Sequence, residues 1–428
     1  MDDITDDDIN DLKQSIQCVM KTILSHNPSI YEQYDFNNIL QDCVYENFSH
    51  CIDYEQFSDI YEDTFDDNMH EIMLPHRSML ITFDSYYDLN DKIQELVNIP
   101  QPEQRTNEWY IFRQDHITAS NAWKCLGNEK ALNSIIYEKL KPLNIEKYKP
   151  SFNDSPLTWG QKFEPISVML YEREYDTHVL DLGCLEHPKY SFLAASPDGL
   201  VDGVNRNGRL LEIKNVVSRE ITKIPKLDYW IQMQLQMEVC DLDDCDFLET
   251  KFLEYDSFVE FISSEEETKG IISVYVKNGE RVVYEYSDIN YSSEDEFNNY
   301  LESTSKKYEG DESMMWVKNV YWYLDTFSCI FVPRNKIWFE YAIPKIQSVW
   351  ETIDEERKRE EGPNLEKYAP QKRQPKGQQP IKVVKKSMIK MTDDNIQHDI
   401  NDKDTVSNET STPNADSEQD TESKFVYL

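Results

Sequence analysis

Between residues 195 and 215 the chain has few ways to fold. Leu211-Glu212-Ile213-Lys214-Asn215 alternates apolar and charged residues, the period of a strand with one face turned to a core. Leu211 and Ile213 go inward, and Glu212 and Lys214 share the opposite face. Asn207-Gly208, just upstream, is a hairpin-turn signal that would join strands over 199–204 and 209–215. Pro197 and Gly199 bracket Asp198 at a second turn. A hairpin in this register brings Asp198 beside Glu212. Two converging carboxylates beside an ammonium suit a hard divalent cation held by oxygen, Mg²⁺ or Mn²⁺. Lys214 would steer a water on that cation or help to deprotonate it. Each half alone is ordinary, since Glu-x-Lys is usually a solvated pair and Pro-Asp-Gly a plain turn. The fourteen-residue spacing of the two makes the pattern informative.

Around this hairpin the expected elements alternate. Helices are expected over 108–113, 120–126, about 158–175, and 227–240, where Ile231, Leu235 and Val239 recur at i, i+4 and i+8. Strands are expected over 178–185, 192–195, 246–255, 271–276, 281–286 and 322–332, and a long helix over about 335–360. Glycine is scarce, 11 in 428 residues, yet six lie between Gly127 and Gly208, which marks a stretch with tight turns to satisfy. Three parts follow: an acidic, helical N-terminal extension over 1–100, a catalytic domain over 101–360, and a tail over 361–428 too poor in apolar residues to fold. The tail holds a basic group, Lys372, Arg373, Lys376, Lys382, Lys385 and Lys386. It reads as a nuclear-localisation or nucleic-acid patch, or equally as a solvated linker.

The net charge is −37, from 44 Lys and Arg against 81 Asp and Glu. Such a balance repels nucleic acid at long range. The charge is uneven, however. From Arg105 to Trp230 there are 17 basic and 17 acidic residues, so the hairpin region is neutral and open to phosphate. The eight cysteines contain no CxxC pair and read as reduced thiols rather than zinc ligands or disulfides. No signal peptide and no apolar run of membrane length is visible, and a soluble intracellular protein is expected.

The order Pro-Asp, spacer, Glu-x-Lys resembles the signature of the PD-(D/E)xK nucleases. Four further blocks narrow the resemblance to the lambda-exonuclease-like branch, the YqaJ-type viral recombinases. They are Arg113-Gln-Asp-His-Ile-Thr-Ala-Ser120, Trp159-Gly160-Gln-Lys-Phe-Glu164, Ser196-Pro-Asp-Gly199 and Tyr229-Trp-Ile-Gln232-Met-Gln234. The resemblance covers residues 103–255 firmly and reaches more loosely to about 350. It implies an α/β (α+β) fold with a restriction-endonuclease-like core, a central mixed β-sheet flanked by helices. It implies two metal ions per site: Asp198, Glu212 and the Ile213 carbonyl on one, and Glu164 reaching the second. Lys214 would position or activate the attacking water, and Gln232 would orient water or substrate. Arg113 and Ser120 would take a terminal 5′-phosphate, for which the planar guanidinium fork is suited. A lone histidine, His116, and Trp159 read as structural, as do Gln234 and Gln236.

The implied activity is 5′→3′ resection of double-stranded DNA ends for recombination or repair. The partners are duplex ends and a single-strand annealing protein, with no membrane and with a homo-oligomer open. The Asn-, Tyr-, Ile- and Asp-rich composition suggests a large DNA virus, placing the protein in host cytoplasm, a viral factory or the nucleus. Two other readings stay open: an endonuclease or RNA-cleaving enzyme on the same fold, and a non-catalytic binding protein whose acidic flanks meet a basic partner.

Overall fold

Ile16, Met20 and Leu24 recur every four residues and are all buried, which is why the acidic N-terminus can fold at all. In the computed structural model, which describes residues 6–27, 30, 36–73, 83–144, 155–279 and 281–370, they lie on α1 (Asp6–His26). They meet Leu40 and Val44 of α2 (Phe36–Phe48) and Phe57, Tyr61 and Phe65 of α3 (Tyr54–Met73). Phe331 from the central sheet closes this cluster, and α4 (Phe83–Asn98) leads into the rest of the chain. The described N-terminal residues are mostly helical.

The elements of the 101–360 region follow. Thr106 caps α5 (Asn107–Gln114) by accepting the Trp109 N–H at 3.2 Å. Strand β1 (Ile117–Thr118) and α6 (Ala119–Leu126) come next, then α7 (Glu129–Leu140), capped by Asn128. Ser155 caps α8 (Pro156–Tyr175), whose first residue is proline, a favoured position because its missing N–H would have no helical partner. Strands β2 (Val179–Leu180), β3 (Leu185–Glu186), β4 (Leu193–Ala195), β5 (Gly199–Val201) and β6 (Leu210–Asn215) precede α9 (Leu227–Cys240). The remainder is β7 (Asp244–Tyr255), α10 (Phe258–Ser263), β8 (Lys269–Lys277), β9 (Arg281–Tyr286), α11 (Glu294–Lys307), β10 (Met314–Pro333), α12 (Lys336–Arg357) and α13 (Leu365–Tyr368).

The strands form a seven-stranded mixed sheet in the order β2-β5-β6-β7-β10-β8-β9 and a small sheet in the order β1-β4-β3. In the large sheet β6 and β7 run parallel, joined by the α9 crossover, and its other strand pairs are antiparallel. Leu211 and Ile213 pack with Tyr171, Val179, Val201 and Leu248, as their alternation requires. This is the expected mixed sheet flanked by helices. All eight cysteines are free thiols. No helix among the described residues is long and apolar enough to cross a membrane.

Some local expectations change. The extended run 178–185 divides into β2 and β3, which belong to different sheets. The break falls at Gly183, whose N–H donates to Gln101 Oε1 at 2.6 Å. A Cβ there would stand 2.3 Å from the Pro102 carbonyl oxygen, so the close approach needs glycine. The β5–β6 connection spans 202–209 instead of a two-residue turn. Its left-handed residues are Arg206 and Gly208, and Asn207 is engaged in accepting the Gly203 N–H at 3.2 Å. The ordered chain also runs past 360: α13 lies in the expected tail, and Tyr368 is buried in the main core. From 371 onward, including the basic group, the tail lies outside the described residues.

Candidate active site

The β5–β6 pairing does what the sequence requires of it. Gly199 lies opposite Leu211, and the Asp198 N–H donates to the Leu211 carbonyl at 3.0 Å. This turns the Asp198 side chain back on β6, where Oδ2 accepts the Ile213 N–H at 2.7 Å. Glu212 is fully buried and has both oxygens engaged. Oε1 is ion-paired with Lys214. Oε2 accepts from Gln232 at 2.8 Å and from Gln236 at 2.6 Å. The two glutamines stand one turn apart on α9, so the helix that follows the active strand grips its carboxylate twice. Gln234 instead bonds the Pro333 carbonyl and the Asn335 N–H, a structural task.

Glu164 arrives from α8, and Arg105 bridges both of its oxygens at 2.7 and 2.9 Å. Arg105 holds a left-handed backbone, φ 66°, unusual for a side chain of its size. Asn215 ties β6 to α8. Its Nδ2 donates to the Gly160 carbonyl at 3.1 Å, and its Oδ1 accepts from Ser167 at 2.7 Å and Thr250 at 2.8 Å. Arg113, at the end of α5, donates to Ser120 Oγ at 2.9 Å and stacks 4.3 Å from the Trp109 ring centroid.

All eight residues singled out in the sequence line one cleft of about 800 Å³: Glu164, Asp198, Glu212, Ile213, Lys214, Gln232, Arg113 and Ser120. Arg105, Trp109, Lys139 and Arg219 line it as well. None of these was read from the sequence. Arg105 is 59 residues from Glu164, with no local signal, whereas Gln236, read from the sequence as structural, stands one turn after Gln232 and reaches the same Glu212 oxygen. His116 is buried between the Phe112 carbonyl at 2.7 Å and Glu186 at 3.0 Å, and Trp159 packs in the core with Phe163. Both are structural, as read.

Charge crowding dominates the electrostatics. Burial pushes the Asp198 carboxyl well above the usual carboxylate range, and the charges of Glu212 and Glu164 push the same way. Burial also raises Glu164, against the pull of Arg105 and Lys214. Burial would lower the Lys214 ammonium, but Glu212 and Asp198 outweigh it and hold it above the usual lysine range. Among the described residues no three His, Cys, Asp or Glu side chains stand as a ready-made metal cage.

Residues 108–243 match the family model of the YqaJ-like viral recombinase domain, which bears out the resemblance carried by the motifs. An uncharacterised protein of Acanthamoeba polyphaga mimivirus is 28% identical over 307 residues, 63% of this chain and 55% of that relative's length. The chain thus spans little more than half of that protein. Among solved structures, an alkaline exonuclease from Laribacter hongkongensis is 18% identical over 59% of this chain and 94% of its own, with a TM-score of 0.35. A phage-related exonuclease from Haemophilus somnus is 12% identical over 56% and 94%, with a TM-score of 0.28.

Proposed function

We propose that this chain is a metal-dependent deoxyribonuclease that degrades double-stranded DNA from 5′ ends, in the service of viral recombination. One observation carries the reading. The carboxylate–lysine group on β6, α8 and the turn before β5 and the Arg113–Ser120 pair open into the same cleft, so a phosphodiester and a terminal phosphate can be held together. The family match and the exonuclease reading of the motifs agree with it.

The donor set fits one or two Mg²⁺ or Mn²⁺ ions. All three carboxylates offer hard oxygen, and burial, with neighbouring carboxylate charge adding to it, raises the Asp198 and Glu164 carboxyls, a cost that a divalent cation relieves. Asp198, Glu212 and the Ile213 carbonyl would hold one ion and Glu164 would contribute to a second. Such ions supply positive charge to the attacking and leaving oxygens of an in-line displacement at phosphorus. The protein's own groups do the rest. Gln232 and Gln236 fix the rotamer of Glu212 through its Oε2. Lys214 brings a cation to the scissile phosphate and orients the attacking water. Arg113, stacked on Trp109 and bonded to Ser120, would turn its guanidinium to a terminal phosphate. Preorganised donors of this kind act where developing charge is greatest.

The test is a linear duplex labelled separately at each end, with and without 5′-phosphate, beside a closed circle and a Glu212→Ala control, in Mg²⁺. Loss from 5′ ends that is stimulated by phosphate and absent from control and circle is the expected result. Cutting of the circle would replace the exonuclease with an endonuclease, and cleavage of an RNA duplex instead would move the substrate class. Silence in both Mg²⁺ and Mn²⁺ would leave a non-catalytic binding protein.

A further inference from the structure

Glu249 is a buried acid that the cleavage chemistry above does not use. It lies on β7, and the parallel register sets it directly opposite Lys214, as Phe247 is set opposite Glu212. Side chains paired in register project from the same face, so Glu249 stands beside Lys214 under the cleft. It is 1% exposed. A carboxylate removed from water is costly unless it is paired. Its Oε1 is ion-paired with Arg219, while its Oε2 meets no hydrogen-bond partner among the described residues.

Arg219 comes from the loop after β6, a stretch with no regular structure, where a long side chain would ordinarily move freely. Here it is held three ways. One guanidinium nitrogen is on Glu249, another donates to the Glu220 carbonyl at 3.2 Å, and the guanidinium carbon lies 5.9 Å from the Tyr229 ring centroid. Lys214 Nζ lies 5.1 Å from the same centroid. One aromatic ring therefore serves both cations, and its negative face offsets part of their repulsion. The Arg219 side chain is 28% exposed and lines the cleft. A guanidinium has five N–H donors in a planar fork, and two of the contacts above use two nitrogens, so donors remain for a ligand.

We propose that Arg219 binds a backbone phosphate of the nucleic acid next to the one being cut, and that Glu249 is the positioning residue that holds the Arg219 guanidinium at the cleft lip. This rests on the reading of the cleft as a DNA site and adds to it a specific contact and its support. A loop arginine pinned by a buried carboxylate loses little side-chain entropy on binding, and its fork matches a phosphate better than an ammonium does. Placed beside Lys214, it would fix the strand's register over the carboxylates.

The experiment uses the full chain and a 5′-phosphorylated duplex in Ca²⁺, with binding read by fluorescence anisotropy at several salt concentrations and thermal unfolding run alongside. Arg219→Gln is expected to weaken binding about tenfold and to reduce the slope of log K against log salt by about one. Arg219→Lys is expected to restore the slope and only part of the affinity. Glu249→Gln is expected to weaken binding about threefold or more in the wild-type background and to change nothing in the Arg219→Gln background, because it acts through Arg219. Unchanged DNA affinity and slope in Arg219→Gln, with a lowered melting temperature, would overturn the proposal and make Arg219 only the counterion of Glu249. Tighter binding in Glu249→Gln would overturn the positioning role. If wild type binds and cuts DNA while Arg219→Gln is normal, this inference fails alone. If wild type neither binds nor cuts, the nuclease reading fails with it.

Discussion

At the scale of single residues, two side chains make opposite demands on the site. Arg105 occupies both oxygens of Glu164, so a cation taken up by Glu164 must displace it. The pair is partly exposed, with side-chain accessibilities of 43% and 28%, which limits its worth to roughly 0–1 kcal/mol. Arg105→Gln is therefore expected to tighten Mn²⁺ binding by up to about fivefold in calorimetry, and weaker binding would show that Arg105 supports the site instead of guarding it. Lys139 is buried and donates to the Arg113 carbonyl at 2.6 Å. Burial lowers its ammonium to about 8, with Glu138 opposing and Arg113, Arg357 and Lys124 adding to the shift. The unfolded chain keeps this proton up to the ordinary lysine range. Between the two values the unfolded state binds more protons, and stability climbs with pH. Relative to Lys139→Met, wild type should gain about 3 kcal/mol between about pH 7 and pH 10.5, measured by urea unfolding at both ends. A flat difference would mean that Lys139 is ionised normally. Glu212, Lys214 and Asp198 were legible in the sequence because strand alternation and a short connection place them. Arg105 was not, because only the folded chain brings it to Glu164.

At the scale of elements, legibility followed the range over which the forces act. Helix α9 was readable to its ends from a core-facing period, and β6 from its alternation. Four helices were passed over although their caps were present: Asn128 at α7, Ser257 at α10, Ser293 with Glu296 as a capping box at α11, and Asn364 at α13. Helix α11 is mostly polar and α10 and α13 are short, so a search led by apolar periodicity misses them. The division of 178–185 between two sheets could not be read, since it depends on how closely the 101–102 backbone approaches Gly183. The relation of α8 to β6 is likewise tertiary. Asn215 is its clasp, bonding the Gly160 carbonyl and Ser167 on α8 and Thr250 on β7. Asn215→Ala leaves those groups short of partners at about 1–3 kcal/mol and frees α8 to shift Glu164 against β6. The expected result is a melting temperature lowered by several degrees and kcat lowered about 10- to 100-fold. Lost stability with full activity would show that Glu164 is placed by packing alone.

At the scale of the whole molecule, charge and site pull in different directions. A chain of −37 repels DNA at a distance, yet its cleft carries Arg105, Arg113, Lys139, Lys214 and Arg219. The two effects differ in range. Repulsion from the acidic surface is long-range and is screened within about 10 Å at 0.1 M salt. The cleft contacts act only after docking, and each phosphate they neutralise contributes about −0.9 to the slope of log K against log salt. Five cations cap that slope at roughly −4.5, and those engaged with carboxylates bring it lower. Kinetics should therefore separate from affinity. As salt rises from about 10 to 100 mM, the association rate with a short duplex should increase, the reverse of an electrostatically steered binder, while the dissociation rate increases more and net affinity falls. Stopped-flow association in Ca²⁺ measures both rates. An association rate that falls with salt would mean that the local field of the cleft, and not the net charge, governs the approach of DNA. The acidic flanks would then have no part in choosing when the site is filled.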